Sequence, residues 1–309
     1  MSTAAIIDLG SNTINLLIVK DYAGEFRTIF KTKIPAKLGA GGFGKKTITP
    51  EAFKRGVVAM QALKMTILEY RAERIYAFAT SAVRDAENNS AFVEEIKAKT
   101  GIEINVISGE KEAQLIYNGV GRALEIGEEP ELIMDIGGGS TEFIIANNKG
   151  VLWKHSFDLG VSRLLEHLKP KDPLSEKDID NLKTFLDDQL GKLFEAVEQC
   201  SIDGLIGSSG SFDSLAEMIE SESNEESRLS NVTEYTFNPS DLAKLNTKLI
   251  DSSFEEREQL IGLVPYRLET IPLASMFINY IITKLSINKI RLSTYALREG
   301  VVSEFSGEN

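Results

Sequence analysis

The sequence predicts an α/β protein made of two similar domains that face each other across a cleft. Its 309 residues are long for one hydrophobic core and suit two domains of about 150 residues each. One segment also occurs twice, because Ile6–Val19 aligns without a gap on Ile133–Ala146, 127 positions later. The alignment places Asp8 on Asp135. The repeat therefore predicts two related halves, each with an acidic residue beside a small-residue turn.

The second copy carries the clearest functional signal. Leu132–Phe143 reads LIMDIGGGSTEF, which indicates a strand, a turn of phosphate size and another strand. Three glycines remove every Cβ and permit positive φ, so successive backbone N–H groups can converge on an anion. Asp135 can hold a cation beside that anion. A tight hairpin would explain one or two glycines but not three between Asp135 and Glu142, and we interpret the turn as a metal-phosphate site.

Both copies continue in the same way after this turn. The first passes through Tyr22–Gly24 into a strand at Glu25–Lys31, and the second passes through Asn147–Gly150 into a strand at Val151–Phe157. The repeated unit is therefore a three-strand meander. Two such units can grip one phosphate chain from both sides of a cleft.

A glycine-rich segment, Ala36–Lys46, follows the first meander and has the spacing G-x-G-x-x-G. We reject a dinucleotide site, because that fingerprint opens directly into a helix. Here Lys45 and Lys46 and a Thr-Ile-Thr segment follow instead. We expect a flexible basic loop near the cleft.

Helices and strands alternate through the rest of the first half. Thr49 and Pro50 predict a helix start, and an apolar stripe with helical spacing follows. After a strand at Arg74–Phe78, Arg84 lies in a hydroxyl-rich loop, where it can clamp a phosphate or form a salt bridge at a helix start. Next come a helix over Ala91–Lys99, a strand over Glu103–Ile107 and a helix from Ser108–Gly109. Glu110 and Glu112 lie in the first turn of that helix, where a carboxylate usually complements the helix dipole.

The second half continues with further helices and two strands. The patterns predict helices at Gly160–Leu168, within Ser175–Cys200, and at Phe212–Ile219, Pro239–Asp251, Ser253–Val264 and Tyr266–Leu285, strands at Asp203–Gly207 and Lys289–Ser293, and a closing helix from Tyr295. The small-residue turn Ser208–Ser211 joins a strand to a helix, which is a common arrangement that can also bind anions. The long apolar face of Tyr266–Leu285 is a surface on which a homodimer can form.

Composition excludes several classes of protein. The chain is 42% hydrophobic and 26% charged, and we expect no membrane segment because no apolar run approaches the roughly 20 residues that a bilayer requires. A strand begins almost at once at Ala4, which leaves no signal peptide and predicts a cytoplasmic protein. The single cysteine, Cys200, and the two separate histidines, His155 and His167, argue against a zinc site or a thiol nucleophile.

The charge distribution points to an anionic partner. A net charge of −12 argues against binding of nucleic acid. Residues 1–75 nevertheless contain 12 Lys and Arg against 6 Asp and Glu. This asymmetry suggests a polyanion that approaches the first domain, although chance unevenness of surface charge explains it equally well.

Six motifs in order carry a resemblance to a known family. They are DLGSNT at Asp8–Thr13, TSAVR at Thr80–Arg84, SGEKEA at Ser108–Ala113, DIGGGSTE at Asp135–Glu142, GSSGS at Gly207–Ser211 and LREG at Leu297–Gly300. Together they resemble the exopolyphosphatase and guanosine pentaphosphate phosphohydrolase (Ppx/GppA) family over nearly the whole chain. The form they resemble is the short one, without the additional helical C-terminal domain on which longer relatives continue.

The resemblance implies a fold and a domain division. The fold is that of actin, Hsp70 and the sugar kinases (ribonuclease H-like), with two mixed-sheet domains related by a pseudo-twofold and the active site in the interdomain cleft. We place residues 1–123 and about 292–309 in domain I, and residues 124–291 in domain II.

The resemblance also implies a phosphoanhydride hydrolase that acts on inorganic polyphosphate, guanosine pentaphosphate or both. Glu112 would be the base that activates water, and Arg84 would hold substrate phosphate. Asp135 and Glu142 would support magnesium, or manganese in its place, and Asp8 would share the metal. Three loops would supply backbone amides to the phosphates: Gly10, Ser11, Asn12 and Thr13; Gly137, Gly138, Gly139, Ser140 and Thr141; and Ser209, Gly210 and Ser211.

Departures from the family pattern and two rival functions accompany this interpretation. The family often has arginine at the position of Lys37 and the sequence Arg-Ala-Asp at the position of Arg267–Glu269. It also often has glycine at the position of Leu273, after the proline that matches Pro272. A sugar- or acetate-kinase-like phosphotransferase of the same fold is one rival, but it usually has a glycine pair near the C-terminal end, where this chain has only Gly300. A non-enzymatic nucleotide-binding scaffold is the other, and it would not need a base at Glu112.

Overall fold

The two predicted halves form two mixed β-sheets. The structure, a computed structural model, describes residues 2–223, 229 and 232–306. The first sheet has the order β3-β2-β1-β4-β5. Its strands are β1 (Thr3–Leu9), β2 (Thr13–Tyr22), β3 (Glu25–Pro35), β4 (Arg74–Ala79) and β5 (Ile104–Val106). The first three strands are antiparallel, and β4 and β5 run parallel to β1.

The second sheet repeats this pattern and extends it. Its order is β10-β11-β9-β6-β7-β8, with β6 (Glu131–Ile136), β7 (Thr141–Asn147), β8 (Gly150–Phe157), β9 (Gly204–Ser208), β10 (Glu234–Thr236) and β11 (Ile290–Ser293). The register of the repeat is also kept, because Asp8 pairs with Asn15 and Asp135 pairs with Glu142. The predicted internal repeat and the two-domain, actin-like fold are therefore confirmed.

Helices surround both sheets and fill the space between them. Those in the described residues are α1 (Pro50–Glu69), α2 (Ser81–Arg84), α3 (Asn89–Thr100), α4 (Gly109–Ala123), α5 (Val161–Leu168), α6 (Glu176–Gln189), α7 (Gly191–Gln199), α8 (Ser209–Ser223), α9 (Pro239–Asp251), α10 (Phe254–Arg257), α11 (Ile271–Lys284) and α12 (Leu297–Ser306). Thr49 caps α1 as predicted, since its side chain accepts from the backbone N–H of Ala52. No helix of the described part is long and apolar enough to cross a membrane.

Three buried clusters make up the core. One joins the first sheet to α1 and α3, and another joins the second sheet to α5, α6, α8, α9 and α11. The third joins both sheets through α4 and α12. These two helices approach closely, because a Cβ on Gly300 would lie 1.7 Å from the carbonyl oxygen of Leu115. The position therefore requires glycine.

Two helix predictions in the second half were wrong. The helix predicted over Ser253–Val264 is limited to α10, and the chain then turns at Gly262, whose φ of 86° is left-handed. The helix predicted from Tyr266 begins only at Ile271, because a 3₁₀ turn occupies Pro265–Arg267. Pro272 then lies in the first turn of α11, where its missing N–H costs no hydrogen bond.

Two predicted turns proved to be helical. The loop that was expected between β4 and Asp85 forms the single helical turn α2. The expected turn Ser208–Ser211 is the end of β9 followed by the first turn of α8. In both cases the hydroxyl-bearing residues lie at a helix N-terminus, where unpaired N–H groups face away from the helix.

The apolar face of α11 lies inside the core, packed against α9, α6, α5 and α8. It therefore provides no surface for a homodimer, and the homodimer stays a prediction without this support. The domain division also stays a proposal. Its boundary near residue 292 falls within β11, which belongs to the second sheet, whereas α12 packs on α4.

Candidate active site

A cleft of about 140 Å³ opens where the turns of the two meanders meet. It is lined by both turns, by the first turn of α8 and by one acidic residue of α4. The predicted site residues that line it are Asp8, Gly10, Ser11, Asn12, Thr13, Glu112, Asp135, Gly137, Gly138, Gly139, Ser140, Ser209, Gly210 and Ser211. The fold thus brings together in one place residues that lie more than 200 positions apart in the sequence.

Three predicted site residues lie behind this lining. The Thr141 side chain is buried, and its hydroxyl donates a 3.0 Å hydrogen bond to the carbonyl of Leu159. Arg84 and Glu142 are also outside the lining residues. Their contacts place them next to the carboxylates that do line the cleft.

Asp8 and Asp135 each lie one residue before the end of equivalent strands and line the same cleft. Asn15 donates a 3.0 Å hydrogen bond to Asp8. Burial raises the pKa of Asp8 to about 6, although Arg298 and this hydrogen bond act against the rise. Burial likewise raises the pKa of Asp135 to about 6, against hydrogen bonds from Ser209 and Ser208. A cation between two such carboxylates would stabilise their charged forms.

Glu112 is a buried carboxylate in the first turn of α4, with 7% of its surface exposed. Ser108 caps the helix by accepting from the backbone N–H of Lys111, and this cap fixes the start of α4. Burial raises the pKa of Glu112 to about 7, although Arg84 lowers it. By contrast, Glu110 is exposed and lies 3.5 Å from His155. Of the two acids in this helix start, Glu112 is therefore the buried one that faces the cleft, and Glu110 is exposed.

Arg84 contacts the proposed base in this structure. Its Nη1 donates a 2.8 Å hydrogen bond to Glu112 Oε2 and a 3.3 Å hydrogen bond to the carbonyl of Ile107. Its Nε lies 3.4 Å from Asp85. Of the two interpretations that the sequence left open, the salt bridge is the one present, with Glu112 as its main partner. Holding of substrate phosphate by Arg84 stays a prediction.

Glu142 lies on β7 directly across from Asp135 and is 1% exposed. Ser156 donates a 2.6 Å hydrogen bond to Glu142 Oε1. Burial raises the pKa of Glu142 well above its usual value, and the neighbouring Glu112 and Asp135 raise it further. Three carboxylates are thus close enough in this part of the site to influence one another's protonation.

The two phosphate turns contact each other directly. Asn12 in the first turn packs on Gly138 in the second, and Ser162 donates a 2.8 Å hydrogen bond to Asn12. A Cβ on Gly139 would lie 2.5 Å from Ser81 Oγ and 2.6 Å from Ser11 Oγ. The second turn therefore needs glycine for this close approach of the two halves, and the N–H of Gly137 donates a 3.0 Å hydrogen bond to the Ser140 carbonyl.

Several charged residues that do not belong to the predicted set of site residues complete the cleft wall. Lys33 on β3 lies 3.8 Å from Asp213 on α8, and burial raises the pKa of Asp213 and lowers that of Lys33. Arg267 lies against Gly210, and Arg298 lines the cleft beside Asp8. A sequence signal existed for Lys33, which lies in the basic segment of residues 1–75, and for Arg298, which lies in the LREG motif. Asp213 had none.

Beyond this wall lies a second cavity of about 990 Å³. It shares Lys33, Arg267 and Arg298 with the cleft and also includes Lys31 and Tyr295. The two spaces therefore adjoin along a basic border.

The basic loop and two family departures lie at the contact between the halves. Gly44 N–H donates a 2.9 Å hydrogen bond to Glu166 of α5, and Lys45 and Lys46 are exposed. Lys37 donates a 3.4 Å hydrogen bond to Glu269, so two residues that depart from the family pattern pair with each other. Both are exposed, and such a pair contributes little to stability.

Comparisons with known proteins agree with this geometry. Residues 17–307 match the sequence model of the Ppx/GppA phosphatase family. An exopolyphosphatase from Cytophaga hutchinsonii is 34% identical, with a TM-score of 0.97 over 99% of this chain and 98% of that chain. The Aquifex aeolicus member of the Ppx/GppA family is 25% identical, with a TM-score of 0.82 over 100% of this chain and 99% of that chain.

Proposed function

The chain belongs to the Ppx/GppA phosphatase family, and we propose that it releases terminal orthophosphate from inorganic polyphosphate with the help of magnesium. The observation that carries this proposal is Glu112, a buried carboxylate whose pKa is raised to about 7 in a cleft lined by two anion-binding turns. A base with a pKa near the working pH is what activation of water requires.

The turns are suited to hold the terminal phosphate. Gly10–Thr13 and Gly137–Ser140 line the same cleft. Gly10 N–H and Gly137 N–H donate to the carbonyls of Thr13 and Ser140 within their own turns. The other backbone N–H groups of the turns would bind phosphate oxygens without reorganising during the reaction, which is where most of the stabilisation in phosphoryl transfer arises. We assign these residues to the terminal phosphate, and Ser209, Gly210 and Ser211 to a neighbouring one.

Glu112 would accept the proton of the attacking water. Arg84 donates a 2.8 Å hydrogen bond to Oε2 of this carboxylate, which restrains its position. As the new bond to phosphorus forms, the bond to the bridging oxygen breaks, and that oxygen leaves with the shortened chain. No nucleophilic side chain is needed for this step.

The donor set fits magnesium bound mainly by two carboxylates. In the described part of the chain no group of three or more His, Cys, Asp and Glu side chains lies close enough to hold a metal ion. Magnesium is commonly held by one or two carboxylates together with water and substrate phosphates. Asp8 and Asp135 would hold it, and manganese would fit the same oxygen donors. When bound, the metal neutralises phosphate charge and polarises the bond that breaks.

We propose that Glu142 supports the metal site from behind Asp135. Its carboxylate lies across the strand pair from Asp135 and accepts from Ser156. From this position it would support Asp135 and the attacked phosphate.

Guanosine pentaphosphate is a second candidate substrate. It ends in the same phosphoanhydride bond, and the adjoining cavity of about 990 Å³, with Tyr266 and Tyr295 in its lining, has room for a nucleoside. The kinase alternative gains no support from Gly300, because packing of α12 on α4 already accounts for that glycine.

The test is to offer the purified protein polyphosphate or guanosine pentaphosphate with magnesium and to measure released orthophosphate. We expect release from polyphosphate, and release from guanosine pentaphosphate would add the second substrate. Absence of release from both, with either magnesium or manganese, would overturn the proposal. ATP with a sugar or with acetate serves as the control for a kinase.

A further inference from the structure

We propose that Arg163 and Asp85 are positioning residues for the reaction, which connect the second phosphate turn to the base Glu112 through Arg84. The inference rests on the proposed function, because it concerns the rate of that reaction. We call the alternating series Arg163, Asp85, Arg84 and Glu112 the charge chain. Arg163 and Asp85 lie outside the six motifs, and Asp85 directly follows the motif TSAVR.

Arg163 holds the second phosphate turn from behind. Its Nε donates a 2.8 Å hydrogen bond to the carbonyl oxygen of Gly139, and its guanidinium lies over the Phe43 ring with 4.6 Å to the centroid. Because a peptide unit is planar, a hydrogen bond to the Gly139 carbonyl also fixes the direction of the Ser140 N–H. Arg163 therefore controls the orientation of an amide in the turn.

The same guanidinium reaches into the first half of the chain. Its Nη2 donates to Ser81 Oγ at 3.1 Å and contacts the Asp85 carboxylate. Since Arg163 lies on α5 and its partners lie on or next to α2, the contact crosses from one half to the other. An arginine is suited to this position because its planar fork can bind several acceptors at once.

Asp85, which contacts Arg163, also restrains Arg84. It accepts a 3.2 Å hydrogen bond from Ser81 and lies 3.4 Å from Arg84 Nε. Arg84 is thus held by two acids on different edges of its guanidinium, Asp85 at Nε and Glu112 at Nη1. Loss of Asp85 would leave Arg84 fixed at one edge only, so both it and the carboxylate of Glu112 could rotate.

The charge chain lies where such contacts are strong. The side chains of Arg163, Asp85 and Arg84 are 20–27% exposed and that of Glu112 is 9% exposed. Ion pairs at this depth are less screened than surface pairs, and removal of one partner leaves the other poorly solvated. Two neighbouring hydrogen bonds also join α5 to the first half of the chain, because Ser162 donates to Asn12 and Glu166 accepts from Gly44.

An ordinary structural tether between the halves would produce the same contacts, so the test must separate rate from folding. The variants are Asp85→Asn and Arg163→Lys. The matched control is Asp158→Asn, because Asp158 also lies 3.3 Å from Arg163 Nη2 but is 71% exposed and has no contact with Arg84 among the ion pairs of the described residues. Each protein is assayed for orthophosphate release from polyphosphate and for thermal unfolding.

We expect Asp85→Asn to lower kcat about 10- to 100-fold, because misplacement of a catalytic group by a fraction of an ångström has effects of this order. KM should change by less than about 3-fold, since the phosphate amides remain. Arg163→Lys keeps the charge but cannot bind Gly139, Ser81 and Asp85 together, so its kcat should lie between those of wild type and Asp85→Asn. Asp158→Asn should leave kcat unchanged.

The outcomes are distinguishable from those of the proposed function. Wild-type protein that releases no phosphate overturns the proposed function and this inference with it. Active wild type together with unchanged kcat in Asp85→Asn overturns the inference alone. A kcat that falls only in proportion to loss of folded protein, measured from the unfolding transition at the assay temperature, also overturns it and makes the contact a structural tether.

Discussion

The two copies of the repeat share a register but differ in the residue that faces the acid. In the first copy Asp8 pairs with Asn15, whose amide donates to it. In the second copy the same register pairs Asp135 with Glu142. One acid therefore has a neutral donor beside it, whereas the other has a second acid. Like charges on adjacent strands repel each other, and the pKa of Glu142 is raised well above its usual value.

The third strands of the two meanders differ in a related way. β3 alternates between exposed and partly buried residues and carries Lys31 and Lys33 to the border of the second cavity. β8 instead carries Ser156, which donates to Glu142. The first copy thus presents positive and neutral groups, and the second gathers negative charge. The duplication provides the symmetric cleft, and the proposed chemistry depends on the positions at which the copies differ.

Among substitutions within the repeat, the largest effect should come from removing the acid that both copies keep. Asp8→Asn and Asp135→Asn should each lower kcat roughly 100-fold or more, because a catalytic metal supplies several kcal/mol and each 1.4 kcal/mol is about tenfold in rate. Exhaustive chelation of the wild type should have the same effect, reversed by magnesium. Full activity in one of the two variants, measured over a magnesium titration, would show that the copies do not share a metal.

A smaller effect, on the pH dependence of stability, should come from Glu142, the second acid of the second copy. In metal-free protein Asp8, Asp135, Glu112 and Glu142 have folded pKa values above their usual values, so the folded state binds more protons than the unfolded state from about pH 4 to above pH 7. The contribution of these four groups to the free energy of unfolding therefore falls as pH rises through this range.

Glu142→Gln removes one of these groups, so its melting temperature should fall less than that of wild type between pH 5 and pH 8. We expect a difference of a few °C, measured by thermal unfolding in the presence of a chelator. Glu128→Gln is the control, because Glu128 is exposed. If melting temperature depended on pH equally in wild type and Glu142→Gln, Glu142 would not be one of the groups with a raised pKa.

The smallest effect concerns the basic side of the first copy. Neutralising Lys45 and Lys46 together should weaken polyphosphate binding about 2- to 10-fold at low salt, because exposed ion pairs contribute little individually. The difference should vanish at high salt, because the attraction between exposed charges then extends over only a few ångströms. Lys97→Gln with Lys99→Gln is the matched control on the exposed face of α3. Unchanged affinity and salt slope in the first double variant would make the basic loop ordinary surface.

The sequence predicted most of what the repeat itself determines. Asp8 and Asp135, the two turns and the three-strand meanders follow from local patterns, because period-two burial and runs of glycine have few other interpretations. Glu112 was identified by resemblance, since its local pattern is that of any acidic helix start. Its burial, which separates it from Glu110, arises only when α4 packs between the two sheets.

Residues that function through partners from other elements could not be predicted. Asp213 meets Lys33 of β3, and Asp85 meets Arg163 of α5, only in the folded protein. The wrong helix at Ser253–Val264 has a similar cause. Buried Arg257 there donates to the carbonyls of Ser252 and Leu268, and this tertiary contact outweighs the helical periodicity.

The most direct test of the account is the rate of Glu112→Gln. The substitution keeps size and hydrogen bonding but removes basicity, and a positioned base typically contributes roughly 100- to 10,000-fold. Phosphate release from polyphosphate at saturating magnesium should therefore fall by that factor, while substrate affinity changes only a few-fold and the control Glu110→Gln keeps the wild-type rate. Retained turnover in Glu112→Gln would contradict the account and would move the role of the base to Glu142.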